Sequence, residues 1–368
     1  MLKQLLAPLL LLAMSSFTSA MAQDALYAGL AAHPLDASWT AGSGFRPIVH
    51  DPIPAKAQFG FVLEPSSGAP APVGSYARGC LTGAVQLPAT GPNWQVMRLS
   101  RNRNWGHPEL VDFIERFAND MHEREGWPGL LVGDMSQPRG GPMLTGHASH
   151  QIGLDVDFWF TPMPDHELSK ADRETMEPEL LAEPNGAAVL PDHWNESWVR
   201  LLRRAASYPV VARIFVHPAI KQALCTTPTA DRHWMSKVRA YFGHNDHFHV
   251  RIHCPPGSPA CIPQADPGAD DGCGGELAYW MKLVSAPTPA LIAKALQPPP
   301  EAPLPSPPPA PAAKPHFLTL AEMPAACAGI LADGKPPLVT SVAPADAPVP
   351  LPSPIRAAAA GQPAVAQP

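Results

Sequence analysis

The sequence predicts an α+β domain with a largely antiparallel central sheet and flanking helices and loops. Three observations support this fold class. Amphipathic helical segments and alternating strand segments are mixed along the chain, without the regular strand–helix alternation that builds parallel sheets. Residues 23–283 of the 368-residue chain fit one large domain or two small ones. Two windows, 144–160 and 243–254, hold six of the 15 histidines, and each contains an alternating strand pattern.

The N-terminal segment predicts export. Residues 1–22 contain Lys3, then an apolar run at 5–14, then Ala20-Met21-Ala22, which is the pattern of a secretory signal peptide with its cleavage site. The apolar run is shorter than the roughly 20 residues needed to span a bilayer. We therefore expect an exported chain without a membrane span.

Two amphipathic segments predict the flanking helices. The clearer one covers residues 107–125, where apolar residues recur at helical spacing: Leu110, Phe113, Ile114, Phe117 and Met121. A glycine- and proline-containing breaker separates it from residues 130–132, whose apolar run predicts a short buried strand. The second helix is predicted at residues 195–208, followed by a strand at 210–216.

Two alternating segments predict strands that carry polar side chains on one face. In residues 154–160, Asp155 and Asp157 point to the side opposite the apolar residues. In residues 247–254, His247 and His249 do the same. If the two strands are neighbours in the sheet, these carboxylates and imidazoles project from one surface.

The six cysteines, at 80, 225, 254, 261, 273 and 327, predict three disulfides, because an even count in an exported chain is best explained by pairing. None lies in a C-x-x-C pair, so neither a zinc ribbon nor a thioredoxin-like redox site is indicated. Spacing alone leaves all the alternative connectivities open.

The C-terminal part of the chain predicts a tail. Of the 49 prolines, 22 follow residue 286, and a segment of this composition favours extended polyproline structure over a packed core. Residues 284–368 are therefore expected to be a Pro/Ala-rich extension with one short apolar island around Cys327. A cysteine in such a tail suggests that the island is attached to the body.

The charge of the chain excludes one class of partner. The formal net charge is −6 and only 16% of the residues are charged, so no basic patch for nucleic acid is indicated. We expect no nucleic-acid partner.

The two histidine windows predict a metal site on the polar face of the sheet. His249 and Asp157 share that face, and His150 lies in the loop before the strand that carries Asp157. Two imidazoles and a carboxylate form a set that suits Zn²⁺, with one position left for water as catalytic zinc sites require. His147 is either a fourth ligand or a residue that orients a ligand from outside. Asp155 is expected to be a hydrogen-bond partner of a ligand.

The remaining histidines of the windows predict catalytic roles. Hydrolysis of an amide needs a group that transfers a proton to the leaving nitrogen, and no H-E-x-x-H motif supplies a glutamate. His247, on the same strand face as His249, is the candidate for proton transfer or transition-state stabilisation. His244, three residues upstream, is expected to orient water or stabilise the oxyanion.

The motifs G-H-A-S-H-Q-I-G-L-D-V-D and N-D-H-F-H-V-R resemble those of the penicillin-insensitive murein endopeptidases, in the group of lysostaphin-type peptidases, D-Ala-D-Ala metallopeptidases and hedgehog domains. The signature of this group is H-x6-D followed by H-x-H, and the spacing of His150, Asp157, His247 and His249 resembles it. Further similar stretches surround Cys80, residues 104–108, Cys225 and Cys273. The resemblance covers residues from about 40 to 283 and includes the island of Cys327.

The resemblance implies a periplasmic metallopeptidase domain at residues 23–283, with Zn²⁺ on His150, Asp157 and His249 and with His247 as the catalytic histidine. His147 and His244 line the site. The implied reaction is hydrolysis of the D-alanyl to meso-diaminopimelyl crosslink between peptidoglycan stem peptides.

The resemblance also implies three disulfide pairs: Cys80 with Cys327, Cys225 with Cys273, and Cys254 with Cys261. It allows a homodimer, because family members can bind a second zinc at a dimer interface through an Asp and a His. Residues 183–186 stand at that position here without a histidine, so the second site is not expected.

Two alternatives stay open at the level of sequence. A carboxypeptidase or dipeptidase on D-Ala-D-Ala termini shares the metal ligands and differs in whether the cleft is closed at one end. A zinc-bearing module that binds cell wall without hydrolysis would keep the metal but would have no use for His244 and His247.

Overall fold

The computed structural model describes residues 53–284 and 317–333. The described helices are α1 (Ala55–Phe59), α2 (Pro108–Glu125), α3 (Lys170–Thr175), α4 (Glu196–Ser207), α5 (Pro218–Thr226), α6 (Gly275–Val284) and α7 (Ala326–Ala332). The described strands are β1 (Ala71–Ser75), β2 (Arg78–Thr82), β3 (Val85–Gln86), β4 (Thr90–Gly91), β5 (Trp94–Val96), β6 (Trp105–Gly106), β7 (Leu130–Val132), β8 (Asp155–Pro162), β9 (Val211–Val216), β10 (Val238–Ala240) and β11 (His247–Ile252).

A seven-stranded mixed sheet organises the described residues, in the order β10-β9-β11-β8-β7-β5-β4. Four of its six neighbouring pairs are antiparallel, and the two parallel pairs are β9 with β10 and β5 with β7. Strand pairs β1–β2 and β3–β6 form two small antiparallel sheets beside it. The prediction of an α+β fold with a largely antiparallel sheet is confirmed.

The central strands β8 and β11 are neighbours in the sheet, so their polar side chains project from one surface. They pair in antiparallel register with His249 opposite Asp157 and Arg251 opposite Asp155. Because side chains alternate along each strand, Phe158 and the residues in phase with it point to the other face of the sheet. One face therefore carries the core and the other the polar cluster.

Helix α2 covers the apolar face of the sheet. Its sequence favours a helix, since His107 caps the first turn by accepting a hydrogen bond from the Glu109 N–H, and Gly126 ends it in the left-handed conformation. Phe113 and Phe117 are fully buried, and the ring of Phe117 lies edge-on to that of Phe158 at 5.2 Å. The predicted boundaries of this helix are confirmed to within one residue.

The C-terminal segment 317–333 is attached to the body. The Cys80–Cys327 disulfide joins β2 to α7, and a small apolar cluster that includes Phe59 and Leu331 packs around it. Arg139 donates hydrogen bonds to the Leu331 carbonyl at 2.8 Å and to the Ile330 carbonyl at 3.0 Å. The other two disulfides, Cys225–Cys273 and Cys254–Cys261, complete the three predicted pairs.

The predicted signal peptide, and the predicted tail apart from the island of Cys327, lie outside the described residues. Among the helices that the structure describes, none is long and apolar enough to cross a membrane.

Candidate metal centre

The polar face of the sheet brings the two histidine windows together. Asp157 on β8 lies directly opposite His249 on β11, so one carboxylate and one imidazole meet across a single pair of strands. The loop before β8 supplies His147 and His150, and the first residue of β11 is His247. All these side chains except His147 and His247 are buried.

His150 is held in an unusual backbone conformation. Its φ of 64° lies in the left-handed region, which non-glycine residues seldom occupy outside constrained sites. The Asp155 carboxylate accepts a hydrogen bond from the His150 backbone N–H at 3.0 Å, and the carbonyl of Met135 lies 2.9 Å from His150 Nδ1. Because a carbonyl only accepts, Nδ1 carries a proton, and in the neutral ring the lone pair of Nε2 faces the site.

His249 is oriented in the same manner by a carboxylate. Its Nε2 lies 2.9 Å from Asp155 Oδ1, so Nε2 donates and the lone pair of Nδ1 faces Asp157. Burial lowers the pKa of His249 to about 4 despite the neighbouring carboxylates, which keeps the ring neutral near pH 7. Burial also opposes ionisation of Asp155, but the charge of Arg251, with the hydrogen bond from His249, outweighs it and holds the pKa of that carboxyl below its usual range.

Asp157 lies at the centre of the cluster. Its Oδ1 is 3.4 Å from His150 Nε2, 3.6 Å from His249 Nδ1 and 3.9 Å from His247 Nε2, while its Oδ2 is 3.5 Å from His147 Nδ1. Potential ligand atoms of His147, His150 and Asp157 all lie within 4.8 Å of one another. Burial disfavours the charged carboxylate, yet the surrounding histidines, His150 first, lower its pKa well below the ordinary value.

Two atoms of this cluster need a positive charge between them. His150 Nε2 and Asp157 Oδ1 are buried, and neither has a hydrogen-bond partner among the residues that the structure describes. When the His150 ring is neutral, both are acceptors, because its other nitrogen holds the proton. Buried acceptors of this kind are rarely left unsatisfied, and a cation would satisfy both at once. The donor set of imidazole nitrogens and a carboxylate therefore fits a divalent metal ion.

His147 is fixed by a carboxylate that the sequence analysis did not single out. Its Nε2 lies 3.0 Å from Asp134 Oδ2, which leaves Nδ1 towards Asp157. Asp134 is also paired with Arg103 at 2.8 Å and with Arg101 at 3.1 Å. Burial raises the pKa of the Asp134 carboxyl, but these partners, His147 first, more than compensate and keep it ionised.

His247 and His244 lie beside the cluster. Asp246 Oδ1 is 2.5 Å from His247 Nδ1, so the His247 Nε2 atom points towards Asp157. Burial disfavours the charged ring, but Asp157 and Asp246 outweigh it and raise the pKa of His247. Burial, with the nearby charge of His247, lowers the pKa of His244 well below its ordinary value. His244 Nδ1 lies 2.9 Å from the Phe242 carbonyl, so Nε2 of the neutral ring is an acceptor.

The cleft continues on both sides of the cluster. One cavity, of about 230 Å³, is lined by Arg101, Trp159, Glu177 and Asp246 among others. A second cavity, of about 460 Å³, is lined by residues that include Phe215, Tyr241 and Phe242. His147 and His247 line both cavities, so a bound chain could extend away from the cluster in two directions.

The structure brings together every residue that the sequence predicted for the site. Asp134 and Asp246, by contrast, were missed. Asp246 stands inside the second histidine window, and a carboxylate beside a candidate catalytic histidine was a signal that could have identified it. Asp134 follows β7, which lies next to β8 in the sheet. It reaches His147 only because these two strands are neighbours.

Comparison with known proteins assigns the chain to a family. The sequence profile of the family "Penicillin-insensitive murein endopeptidase" matches residues 72–332. Relatives that bear this name include one from Klebsiella pneumoniae subsp. pneumoniae, 42% identical over 223 residues, which are 60% of this chain and 80% of the relative. The relative from Haemophilus influenzae is 43% identical over 217 residues, 58% of this chain and 74% of the relative. The relative from Yersinia enterocolitica is 40% identical over 244 residues, 66% of this chain and 88% of the relative. The chain therefore belongs to the penicillin-insensitive murein endopeptidase family.

Proposed function

We propose that this chain is a zinc-dependent endopeptidase that hydrolyses the D-alanyl to meso-diaminopimelyl crosslink between the stem peptides of peptidoglycan. The observation that carries the proposal is the buried pair of atoms His150 Nε2 and Asp157 Oδ1, which lie 3.4 Å apart and have no hydrogen-bond partner within residues 53–284 and 317–333. Membership of the family supports the substrate class, because the relatives are named murein endopeptidases.

His150, Asp157 and His249 would hold the zinc ion, and a position would stay open for water and substrate. When bound, zinc would polarise the scissile carbonyl and lower the pKa of its water to about 7. Asp155 and the Met135 carbonyl fix the tautomers of His249 and His150, so that both rings present lone pairs to the ion.

His147 is proposed to act from beside the ligands. Its Nδ1 lies 3.5 Å from Asp157 Oδ2, and Asp134 holds the opposite ring nitrogen. A ring that donates from both nitrogens would, through this contact, orient the Asp157 carboxylate so that Oδ1 faces the ion. Removal of His147 should therefore weaken zinc binding less than removal of His249.

His247 is proposed to transfer the proton to the leaving nitrogen and to stabilise the negative charge on the carbonyl oxygen. Asp246 holds Nδ1 of this ring, and the raised pKa favours the protonated form, which can donate from Nε2. His244 is neutral, and its Nε2 is an acceptor, so it suits the orientation of a water better than the stabilisation of an oxyanion.

The shape of the cleft supports an endopeptidase over the two alternatives. A crosslink has peptide on both sides of the scissile bond, and the cavities of about 230 and 460 Å³ extend from His147 and His247 in two directions. A carboxypeptidase cleaves the last peptide bond of its substrate, so it would need an extended cavity on only one side of the scissile bond. A non-hydrolytic wall-binding module would not require the Asp246–His247 pair.

The cellular context of the proposal is the periplasm. The proposed chain consists of a signal peptide at residues 1–22, a peptidase domain at 23–283 and a Pro/Ala-rich extension at 284–368. The Cys327 island of this extension is attached to the domain by a disulfide. The homodimer allowed by the resemblance remains a prediction that no described contact tests.

The test is digestion of purified crosslinked muropeptide dimers by the mature protein, with and without a chelator, followed by mass analysis of the products. We expect conversion of dimers to intact monomers that stops with the chelator and returns on addition of zinc. Release of terminal D-alanine alone would instead assign a carboxypeptidase. Intact dimers with one zinc still bound to the protein would assign the wall-binding module.

A further inference from the structure

An aromatic strip leads from the candidate metal centre to the surface of α6. The strip consists of the rings of Phe215, Tyr241, Trp280 and Tyr279, which contact one another in that order at centroid distances of 5.6, 5.0 and 5.4 Å. At its inner end, Phe215 lies edge-on to His249 at 5.2 Å. The strip is therefore continuous with the wall of the larger cavity, which Phe215 and Tyr241 line.

The outer part of the strip is exposed to solvent, so these side chains do not serve to fill the core. Tyr241 is 46% exposed, Tyr279 59%, and the adjacent Phe242 and Leu283 are 63% and 51% exposed. Clustered exposed apolar side chains of this kind mark interaction surfaces. In residues 53–284 and 317–333, no group hydrogen-bonds to the Tyr241 or Tyr279 hydroxyl or to the Trp280 indole N–H, so their polar ends are free for a ligand.

We propose that the aromatic strip binds the glycan strand to which the cleaved stem peptide is attached; this inference rests on the proposed function. A chain of N-acetylated amino sugars is uncharged, offers the C–H faces of its rings for stacking, and carries hydroxyl and amide groups that can pair with phenol and indole groups. The side chains of the strip are likewise uncharged. Stem peptides carry free carboxylates. Arg251 and Arg213 lie beside Phe215 at the inner end of the strip, and Arg251 is already paired with Asp155, so the outer rings of Trp280 and Tyr279 suit an uncharged ligand better than a carboxylate.

The length of the stem peptide agrees with this placement. Four residues in extended conformation span about 14 Å, which is the distance from a scissile D-alanyl bond to the first sugar. The path from His249 to Trp280 takes three ring-to-ring steps, none longer than 5.6 Å. The first two steps place Tyr241 within that reach of His249, so a peptide that extends from the metal centre through the larger cavity is long enough to bring its sugar to Tyr241, beside Trp280.

The test compares two forms of one substrate. Crosslinked dimers that retain their disaccharides are compared with the same dimers after an amidase has removed the sugars, using the full mature chain and its Trp280→Ala and Tyr279→Ala variants. We expect each variant to lower kcat/KM on the sugar-bearing dimers by about 2- to 10-fold and to leave kcat/KM on the sugar-free dimers unchanged. Phe61→Ala is the matched control, because Phe61 is 73% exposed and lines neither cavity.

Binding provides an independent readout. Calorimetry measures the binding of a β-1,4-linked hexamer of N-acetylglucosamine. We expect the hexamer to bind the wild type and to bind Trp280→Ala with an affinity lower by about 2- to 10-fold. This measurement decides the inference even if the wild type cleaves neither dimer, in which case the proposed function alone fails. Equal losses on both dimers, or no loss on either, would overturn the inference. Self-association of the wild type that Trp280→Ala abolishes would assign the strip to a second copy and would also overturn it.

Discussion

The substitution Asp155→Asn tests whether one buried carboxylate holds the site together. Asp155 is fully buried, and it accepts hydrogen bonds from Arg251 Nε at 2.7 Å, His249 Nε2 at 2.9 Å and the His150 backbone N–H at 3.0 Å. The asparagine keeps the size of the side chain but removes the charge opposite the buried Arg251. Removal of one partner of a buried ion pair costs about 3–5 kcal/mol, and the asparagine oxygen can still accept one hydrogen bond. We therefore expect the free energy of unfolding to fall by about 3 kcal/mol.

The same substitution should weaken metal binding. Without the carboxylate, His249 is no longer held in the tautomer that directs Nδ1 to Asp157, and loss of such a partner typically lowers metal affinity by about 10- to 100-fold. Urea denaturation of the metal-free protein and zinc competition with a chelator measure the two effects. Asp165→Asn, at a side chain that is fully exposed, is the control. An Asp155→Asn protein with wild-type stability and zinc affinity would refute this account of the site.

The pH dependence of stability follows from the same carboxylate. The folded-state pKa of Asp155 lies below its usual value, so its contribution is present above the unfolded pKa of about 3.9 and is lost as pH falls through the folded value. Asp155→Asn should therefore flatten the acid limb of the stability curve. An unchanged acid limb would contradict the assignment of Asp155 as an ionised partner of Arg251.

Three further predictions concern the catalytic group, a buried lysine and the C-terminal segment. His249→Ala should lose the bound zinc, measured by atomic absorption, whereas His247→Ala should keep it and lower kcat by about 10²- to 10⁴-fold; wild-type kcat in His247→Ala would exclude its proposed role. Burial, reinforced by the charge of Arg239, lowers the pKa of Lys221 to about 7. The unfolded chain therefore binds a proton that the folded chain lacks between about pH 7 and 10, so the free energy of unfolding should rise with pH there and Lys221→Met should abolish the rise in urea titrations. Replacement of Cys80 and Cys327 by alanine opens a disulfide between residues 247 positions apart and should lower the free energy of unfolding by about 2–5 kcal/mol; an unchanged denaturation midpoint would mean that the segment contributes no stability.

The sequence predicted the elements of the site because strand side chains alternate with a period of two. Asp155 and Asp157 had to share one face of their strand, and His247 and His249 one face of theirs, whatever the rest of the fold. The same alternation placed apolar residues on the opposite face, where α2 packs. The predicted helix at 107–125 and the strand at 130–132 were equally local, since helical spacing and a breaker at 126–129 define them.

The sequence by itself therefore determined which side chains share a face, which residue types offer metal ligands, and which family the motifs resemble. Only the tertiary structure decided that Asp157 lies opposite His249, because the register between two strands depends on contacts along their whole length and a slip of one residue would turn every side chain to the other face. It also decided which nitrogen of each imidazole faces the cluster. Those choices depend on hydrogen-bond partners from distant segments, such as the Met135 carbonyl for His150 and Asp134 for His147, and no local pattern encodes a contact between groups that meet only after folding.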